Sequence, residues 1–362
     1  MKVIAPCPLT GLYSNIVEYA GPWSSGHSYA VGDNVGYLGM IYCCVVAISG
    51  TATPNIDSTH WLYVYPQEPR EWASNTLYAV DDLVLCKLTD NCVYRCITAH
   101  TSTSNGLPPH DQPITNELTG ELTNSTDWLY VRPSNKWAMF DGSISTASSR
   151  SHRLAVQFSA SDGLSGKKIN AIAMFGLIGS KVEIWCGPPS NVNYWYKSFN
   201  LTLSVVDNWY SYFFGTIDPT ASIFSTDLPS FDTATISVVI TNDGGTASCG
   251  LMAAGHSVDL GMTNCNAKIG IMSYSVKNTD SYGVTSFAKG PNSKKLSVTA
   301  IIDNTLLDST YQTMASLDAT PCAWIATDQY SAFSLFGFYR DFSIEVTYPT
   351  KSLISFEIEG LI

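Results

Sequence analysis

The sequence is short of charge, and the charge that it has is mostly acidic. Only 14% of the 362 residues are Asp, Glu, Lys or Arg, against about a quarter in an average soluble domain. The formal net charge is −11, and no block of Lys or Arg occurs. Because nucleic-acid affinity depends on basic groups that neutralise phosphates, we expect no affinity for DNA or RNA. An acidic wall would also suit a conduit through which DNA slides, but a solubilising surface charge is the simpler interpretation.

Long apolar runs and export signals are missing as well. A membrane helix needs about 18 apolar residues in succession, and the best candidate, residues 169–186, is interrupted by Gly176, Gly179, Lys181 and Glu183. Residues 1–6 lack the apolar run and cleavage site of a signal peptide. The sequence therefore predicts a chain that does not span a membrane and that is not exported.

The ten cysteines do not form a metal-binding or disulfide pattern. Cys43 and Cys44 are adjacent, and Cys86, Cys92 and Cys96 lie in or beside strand-like runs. No pair of CxxC motifs has the spacing of a zinc site. We therefore predict free thiols, mostly buried as small apolar side chains in a reducing compartment.

Motifs that carry catalysis are absent from the sequence too. The six histidines form no HExxH spacing, and neither GxSxG nor a P-loop occurs. Among carboxylate pairs, Glu357 and Glu359 share one face of a predicted strand, and Asp81 and Asp82 fall in a predicted turn. Neither placement suggests the dry pocket that a glycosidase acid requires. We expect no catalytic residue, no metal site and no cofactor, and hence a protein that is not an enzyme.

What the first third of the chain does contain is an internal repeat. The first copy begins at Trp23 and continues through Tyr29-Ala30-Val31-Gly32-Asp33-Asn34-Val35 to Trp61-Leu62-Tyr63-Val64-Tyr65-Pro66. The second begins at Trp72 and continues through Tyr78-Ala79-Val80-Asp81-Asp82-Leu83-Val84 to Trp128-Leu129-Tyr130-Val131-Arg132-Pro133. This shared order indicates duplicated strand–turn–strand modules. Because units this small bury little surface, we expect their tryptophans to form the module cores: Trp23, Trp61, Trp72 and Trp128.

The repeat resembles the small chitin-binding modules of carbohydrate-binding families 5 and 12, over residues 21–66 and 70–133. The matching positions are the leading Trp, the Tyr-x-x-Gly-Asp-x-Val run and the closing Trp. The family places exposed aromatic side chains shortly after the central tyrosine, where residues 43–47 and 95–99 here contain none. The resemblance implies a glycan-binding scaffold whose sugar platform has been lost. The second copy also carries an insertion, residues 101–126, which we expect to be a surface excursion.

Residues 134–362 are dominated by strand patterns. Alternation predicts strands at residues 154–158, 181–186, 235–240, 295–302, 341–348 and 352–358. The sequence Asn242-Asp243-Gly244-Gly245 predicts a hairpin turn, because it supplies residues that tolerate positive φ. One helix is predicted from the spacing of Leu307, Tyr311, Met314 and Leu317, and Pro321 ends that run. The expected architecture is an antiparallel sandwich with one accessory helix.

Two C-terminal stretches resemble a family of phage and prophage proteins encoded among tail genes. They are Ala319-Thr320-Pro321-Cys322-Ala323-Trp324-Ile325 and the ending that starts at Gly337-Phe338-Tyr339-Arg340-Asp341-Phe342. Members of that family likewise carry small Trp-rich modules at the N-terminus, so the resemblance covers nearly the whole chain. It implies a virion tail component and does not say which one. A shorter likeness, at residues 135–142, is to the entry of galactose-binding-like jelly rolls.

An aromatic cluster is the main candidate for a contact surface. Tyr194, Trp195 and Tyr196 follow a Gly-Pro-Pro-Ser turn, and in a strand Trp195 would face away from both tyrosines. Exposed aromatics at this density mark a glycan platform or a protein interface. Burial of all three in the sandwich is the alternative.

Together these features predict an all-β protein in four parts. Residues 1–20 are an N-terminal arm, 21–68 and 69–133 are small Trp-rich modules, and 134–362 are a larger antiparallel, jelly-roll-like β-sandwich with one short helix. We expect a structural or attachment subunit of a bacteriophage tail: a tail adaptor, a fibre-attachment component or an adhesin. It would assemble in the host cytoplasm as a homo-oligomer with other tail proteins, mainly through residues 134–362, and would present its peripheral modules to a host surface glycan. The alternatives are a polysaccharide-binding protein, the accessory binding part of a glycoside hydrolase, and a tail-associated depolymerase.

Overall fold

The fold is built almost entirely from antiparallel strands, with one α-helix in the part of the chain that the structure describes. The computed structural model describes residues 1–7, 9–87, 91–102, 114–115, 122–123, 127–160, 169–203, 218–219, 222–231, 234–265, 267–279, 285–327 and 330–361. The strands are β1 Lys2–Pro6, β2 Thr10–Ser14, β3 Ser28–Tyr29, β4 Asn34–Tyr37, β5 Met40–Cys44, β6 Ile48–Ser49, β7 Trp61–Pro66, β8 Leu77–Tyr78, β9 Leu83–Cys86, β10 Cys92–Cys96, β11 His100–Thr101, β12 Ile114–Thr115, β13 Leu122–Thr123, β14 Trp128–Pro133, β15 Ser148–Ala160, β16 Ala171–Phe175, β17 Lys181–Gly187, β18 Trp195–Asn200, β19 Thr202–Leu203, β20 Asp218–Pro219, β21 Ser222–Ser225, β22 Ala234–Cys249, β23 Leu251–Asp259, β24 Met262–Thr263, β25 Lys268–Ser273, β26 Val276–Thr279, β27 Thr285–Ala288, β28 Asn292–Asp303, β29 Cys322–Ile325, β30 Ser334–Glu345 and β31 Lys351–Gly360. The helix, α1, is Leu307–Ser316, and short 3₁₀ turns occupy Ala138–Phe140, Val192–Tyr194, Asn304–Leu306 and Ser331–Phe333. The prediction of an all-β sandwich with one short helix is confirmed.

A curled ten-stranded sheet forms the larger layer of the sandwich. Its strand order is β21-β16-β23-β1-β29-β30-β31-β28-β24, and β25 also pairs with β28. The half that contains β28, β30 and β31 packs against helix α1. There Met314 of the helix joins Trp324 and Phe356 in a buried cluster. The Trp324 indole N–H donates to the Gly337 carbonyl at 2.9 Å, so this buried ring has its polar group satisfied.

A five-stranded sheet, in the order β18-β17-β22-β15-β2, forms the opposing layer. Strand β17 shows why it packs this way. Val182 and Ile184 are fully buried in the core that the two sheets share, whereas Lys181, Glu183 and Trp185 alternate with them and lie on the outer face. The alternation of apolar and polar residues predicted for residues 181–186 therefore matches the alternation of buried and outward-facing side chains in β17.

The first 20 residues have a different role from the predicted arm. Strand β1 lies inside the ten-stranded sheet, antiparallel to both β23 and β29. Strand β2 forms an edge of the five-stranded sheet, beside β15. The two modules are thus an insertion between β2 and β15 of the sandwich. A strand of five residues shows too little alternation to predict pairing with strands so distant in the sequence. The sequence pattern therefore indicates only an arm for residues 1–20.

The predicted hairpin at Asn242–Gly245 is wrong. Strand β22 runs through these residues and stays antiparallel to β15 on both sides, with a register shift opposite His152. The Asn242 amide donates to the Thr246 carbonyl at 2.8 Å, and Gly244 has a φ of +83°. Hairpin turns and some bulges both use residues that tolerate positive φ, so this local pattern does not distinguish them.

The two modules have the same fold. Each has a three-stranded sheet, β4-β5-β7 or β9-β10-β14, and a two-stranded one, β3-β6 or β8-β11. In both turns an aspartate accepts a backbone N–H three residues earlier: Asp33 from Ala30 at 2.8 Å, and Asp82 from Ala79 at 2.7 Å. Most of the insertion at residues 101–126 lies outside the described residues.

The closing tryptophans of the repeat occupy matching environments. Trp61 and Trp128 are 3% and 5% exposed. Each packs edge-on against the central tyrosine of its own module, with ring centroids 5.1 Å apart in both the Tyr29–Trp61 and the Tyr78–Trp128 pair. The leading tryptophans, Trp23 and Trp72, are half-buried at the margins of the same clusters. Each module core therefore contains a closing tryptophan packed against a tyrosine, together with Val and Cys side chains.

A buried ionic network joins both modules to the sandwich. The Arg132 guanidinium donates to both Glu68 carboxylate oxygens, at 2.7 and 2.9 Å, and the Asn135 N–H donates to the same carboxylate at 2.8 Å. The Ser134 hydroxyl donates to Glu18 at 2.6 Å. Glu68 and Glu18 are only 3% and 8% exposed, and Glu68 holds the pKa of Arg132 above its usual value through their hydrogen bonds. This junction links Glu18 after β2 and Glu68 after β7 with residues at the end of β14 and just beyond it.

The first module is also fused to the sandwich core, although we expected both modules to be tethered at the periphery. Ile41, Val64 and Tyr65 belong to the same buried cluster as Leu154. The Ser151 hydroxyl of β15 donates to the Val64 carbonyl at 2.9 Å. The second module has a self-contained core instead.

The structure places none of the ten cysteines in a disulfide, and six of them are buried. Burial raises the pKa of Cys186 to about 11 and that of Cys249 to about 12, so these thiols are poor nucleophiles in the native protein. We predict that a thiol reagent modifies the exposed Cys265 first under native conditions. Under denaturing, non-reducing conditions it should titrate ten thiols per chain, and a lower count would reveal a disulfide.

The described part of the chain contains no helix with the length and apolar character required to cross a bilayer.

Candidate functional site

The aromatic cluster predicted as a contact surface lies at the edge of the five-stranded sheet. Trp195 begins β18 and packs half-buried against the sandwich core, while Tyr196 points outward and is 49% exposed. Tyr194 precedes the strand, in a 3₁₀ turn, and is 64% exposed beside the Phe231 ring at 5.3 Å. The three rings therefore have three different environments and do not form one platform.

Tyr196 instead belongs to a row of side chains that crosses the whole outer face. Each residue of the row is paired directly with the next one on the neighbouring strand, and residues paired in this way share a face of an antiparallel sheet. The row is Tyr13 of β2, Gln157 of β15, Ser237 of β22, Trp185 of β17 and Tyr196 of β18. Aromatic rings thus stand at both ends, with an amide and a hydroxyl between them.

The aromatic end of the row is held in place by an ion pair. The Tyr196 hydroxyl donates to Glu183 at 2.7 Å, and the Lys181 ammonium donates to the same carboxylate oxygen at 2.7 Å. The hydrogen bond from Lys181, and after it the one from Tyr196, holds the pKa of Glu183 below its usual value. Glu183 is therefore ionised near neutral pH and fixes the Tyr196 ring, which lies 5.3 Å from the Trp185 ring at 43°.

A shallow groove of about 390 Å³ occupies the other end of the row. Tyr13, Asn15, Gln157 and Ser237 line it, and Val239 lies at its floor with 7% exposure. Its volume falls within the range of about 300–1,000 Å³ that is usual for ligand sites. The Tyr13 ring at its margin is 72% exposed.

Each module has a tyrosine pair in which one ring reaches the surface. In the first module Tyr42 packs edge-on against Tyr63, and in the second Tyr94 packs edge-on against Tyr130, with centroids 6.0 and 5.9 Å apart. Tyr63 and Tyr130 are 43% and 53% exposed. After its central strand, at residues 45 and 46, the first module exposes the aliphatic side chains of Val45 and Val46.

The carboxylates that were considered for hydrolysis have structural partners. Glu357 forms an ion pair with Lys295 at 3.2 Å, and Glu359 forms one with Arg340 at 3.1 Å. Asp82 caps the module turn described above. Across the described ranges, no group of three or more His, Cys, Asp and Glu side chains is arranged to hold a metal ion. His110 lies outside the described residues.

Sequence reasoning found only one member of the row, Tyr196. Trp185 lies in a strand that the alternation predicts. Its position in the row follows only once β17 is placed between β18 and β22. Tyr13, Gln157 and Ser237 are separated from each other and from Trp185 by long stretches of sequence, and no local motif connects them. The signal that could have found them is the sheet order.

No protein-family profile matches the chain, and no curated protein matches it.

Proposed function

We propose that the chain is a non-enzymatic structural or attachment subunit of a bacteriophage tail. The observation that carries this proposal is a β-ribbon that projects from the sandwich. Strands β26 and β27 pair only with each other within the described residues, and all eight of their residues are exposed. A two-stranded ribbon is marginally stable on its own in water, so contact with a partner would stabilise it.

The side chains of the ribbon are suited to an interface. Val276 and Phe287 of the ribbon are 61% and 70% exposed, and Ile271 of the preceding strand β25 is 75% exposed, so a large apolar surface faces water here. Residues 268–295 contain five lysines and one aspartate, whereas residues 21–133 contain eleven acidic and four basic residues. This asymmetry favours neighbours with acidic surfaces, and a second copy of the chain supplies one. We propose that residues 134–362 make most of the contacts within a symmetric homo-oligomer and with other tail proteins.

The resemblance of the C-terminal stretches to proteins encoded among phage tail genes supports the same assignment. On this proposal the protein assembles in the host cytoplasm, resides in the virion and works without a cofactor. The fusion of the first module with the sandwich supports a fixed orientation of that module on the particle.

The test is incorporation into particles. A phage that lacks the gene is complemented with the wild-type chain, with a Val276→Asp/Phe287→Asp variant, or with Tyr311→Asp as the control. Tyr311 is 61% exposed on helix α1, away from the ribbon. We expect the wild-type chain and the control variant to be present in purified virions. The amount of the ribbon variant in virions should be at least about tenfold lower, because buried charges without partners disrupt an interface. Absence of the wild-type chain from virions, or normal incorporation of the ribbon variant, would contradict the proposal.

A further inference from the structure

We propose that the outer face of the five-stranded sheet binds an uncharged, linear polysaccharide whose chain crosses the strands along the row from Tyr13 to Tyr196. This inference goes beyond the assembly role and does not depend on it. It is measured on the isolated chain, so its outcome is separate from that of the virion experiment.

The spacing of the aromatic rings suits a chain of sugar rings. Three inter-strand gaps separate Tyr13 from Trp185, which is about 14 Å at the usual spacing of about 4.8 Å per gap. This distance is close to the length of a trisaccharide. The flat C–H faces of pyranose rings pack on aromatic rings, and the row offers Tyr13 at one end and the Trp185–Tyr196 pair at the other.

The residues between the rings supply hydrogen bonds for sugar hydroxyls. Gln157 is exposed and Ser237 is half-exposed, and neither side chain is engaged by another described residue. A glutamine amide carries both donors and acceptors, and a serine hydroxyl does likewise, so each can pair with a hydroxyl in either direction. The groove of about 390 Å³ beside them gives room for one ring to sit below the surface.

The charges on this face favour an uncharged ligand. The five residues of the row are Tyr, Gln, Ser, Trp and Tyr, and the row contains no Asp, Glu, Lys or Arg. Glu183 lies one residue pair away from the row, and its charge is offset by Lys181 at 2.7 Å. Arg153 lies two residue pairs away on β15, beyond Ala155. An acidic polysaccharide would therefore find no cation within the row itself.

The same face is poorly suited to a protein partner. A stable protein interface buries about 800 Å² on each side around an apolar core. The aliphatic side chains of this face, Val239 and Ala155, are buried and half-buried, respectively, so the exposed apolar surface is aromatic. Flat rings that alternate with polar groups match a carbohydrate better than they match a packed protein surface.

The experiment is calorimetric titration of the full chain with cellohexaose, xylohexaose, chitohexaose and maltohexaose, and with hexasaccharides of hyaluronan and polygalacturonate as acidic probes. We expect at least one uncharged hexasaccharide to bind. Tyr13→Ala and Trp185→Ala should each weaken that binding at least about tenfold, because each removes a stacking surface. Trp185→Phe keeps a flat ring and should recover most of the affinity, which separates loss of stacking from misfolding.

Two control variants locate the site. Tyr311→Ala removes an equally exposed ring on helix α1 and should leave binding unchanged. Tyr63→Ala/Tyr130→Ala removes the surface tyrosines of both modules and should also leave it unchanged. Binding that is lost in this double variant but kept in Tyr13→Ala and Trp185→Ala would place the site on the modules and overturn the inference. Binding of the acidic probes alone, or of none of the probes, would overturn it as well.

Discussion

The Arg132→Ala variant should lose about 3 kcal/mol of unfolding free energy, near the low end of what the loss of one partner from a buried ion pair costs. The reason is that the variant leaves the buried carboxylate of Glu68 without its guanidinium partner. Glu68 is 3% exposed, and without the guanidinium its charge would keep a single backbone N–H donor, that of Asn135. The expected loss lies near the low end of this range because the Arg132 side chain is itself 47% exposed. Water can therefore replace part of its interaction with Glu68. The measurement is equilibrium urea denaturation followed by tryptophan fluorescence.

A double-mutant cycle separates the ion pair from other effects of the substitution. Glu68→Gln removes the charge and keeps the shape of the side chain, so Arg132→Ala/Glu68→Gln should be more stable than Arg132→Ala alone. Lys295→Ala breaks an ion pair whose two side chains are 41% and 49% exposed, and it should cost less than about 1 kcal/mol. If Arg132→Ala costs no more than Lys295→Ala, the junction does not hold the modules and the sandwich together.

The Trp128→Ala variant should unfold the second module and leave the rest of the chain folded. Replacing a buried tryptophan by alanine costs about 3–5 kcal/mol, and a module of this size has little stability to lose. The core of the second module consists of Trp128 and a few neighbours, among them Tyr78, Val84 and Cys96. Limited proteolysis should therefore cut the variant within residues 69–133, and mass spectrometry of the fragments locates the cuts.

Trp61→Ala is the matched control, because it removes the same ring from the other copy. The first module should resist proteolysis better, since its strand β7 also packs into the sandwich core. Val64 and Tyr65 are each 3% exposed there, whereas the corresponding Val131 of the second module is 44% exposed. Equal protease sensitivity of the two variants would show that the packing on the sandwich does not stabilise the first module.

Local features of the sequence were sufficient for parts of several long strands in residues 134–362 and for the helix. The alternation at residues 181–186 and 295–302 predicted parts of β17 and β28, because a strand with one buried face repeats every two residues. The helix at Leu307–Ser316 followed from its apolar spacing, although Tyr311, assigned to the buried face, is 61% exposed. These features depend on neighbours in the sequence.

Features that depend on sheet order were beyond the sequence. Tyr13 and Gln157 become neighbours only because β2 pairs with β15, and nothing in either strand specifies that partner. The same limit applies to the ion pair between Glu68, at the end of the first module, and Arg132, near the end of the second. Each of these residues has an ordinary local context, and its role comes from pairing at long range.

The position of β1 has a consequence for the order in which the chain can fold during synthesis. This strand leaves the ribosome before the modules, but its neighbours, β23 and β29, follow only after residues 251–259 and 322–325 have been made. Meanwhile Val3 and Ile4, which are fully buried in the finished sheet, stay without their partners. The second module, which has a local core, can fold while β1 waits, whereas the sandwich closes last and slowly because its contacts are long-range. Chaperone dependence during translation should therefore follow the exposed β1 segment, and a longer pause before residue 322 should increase aggregation of the nascent chain.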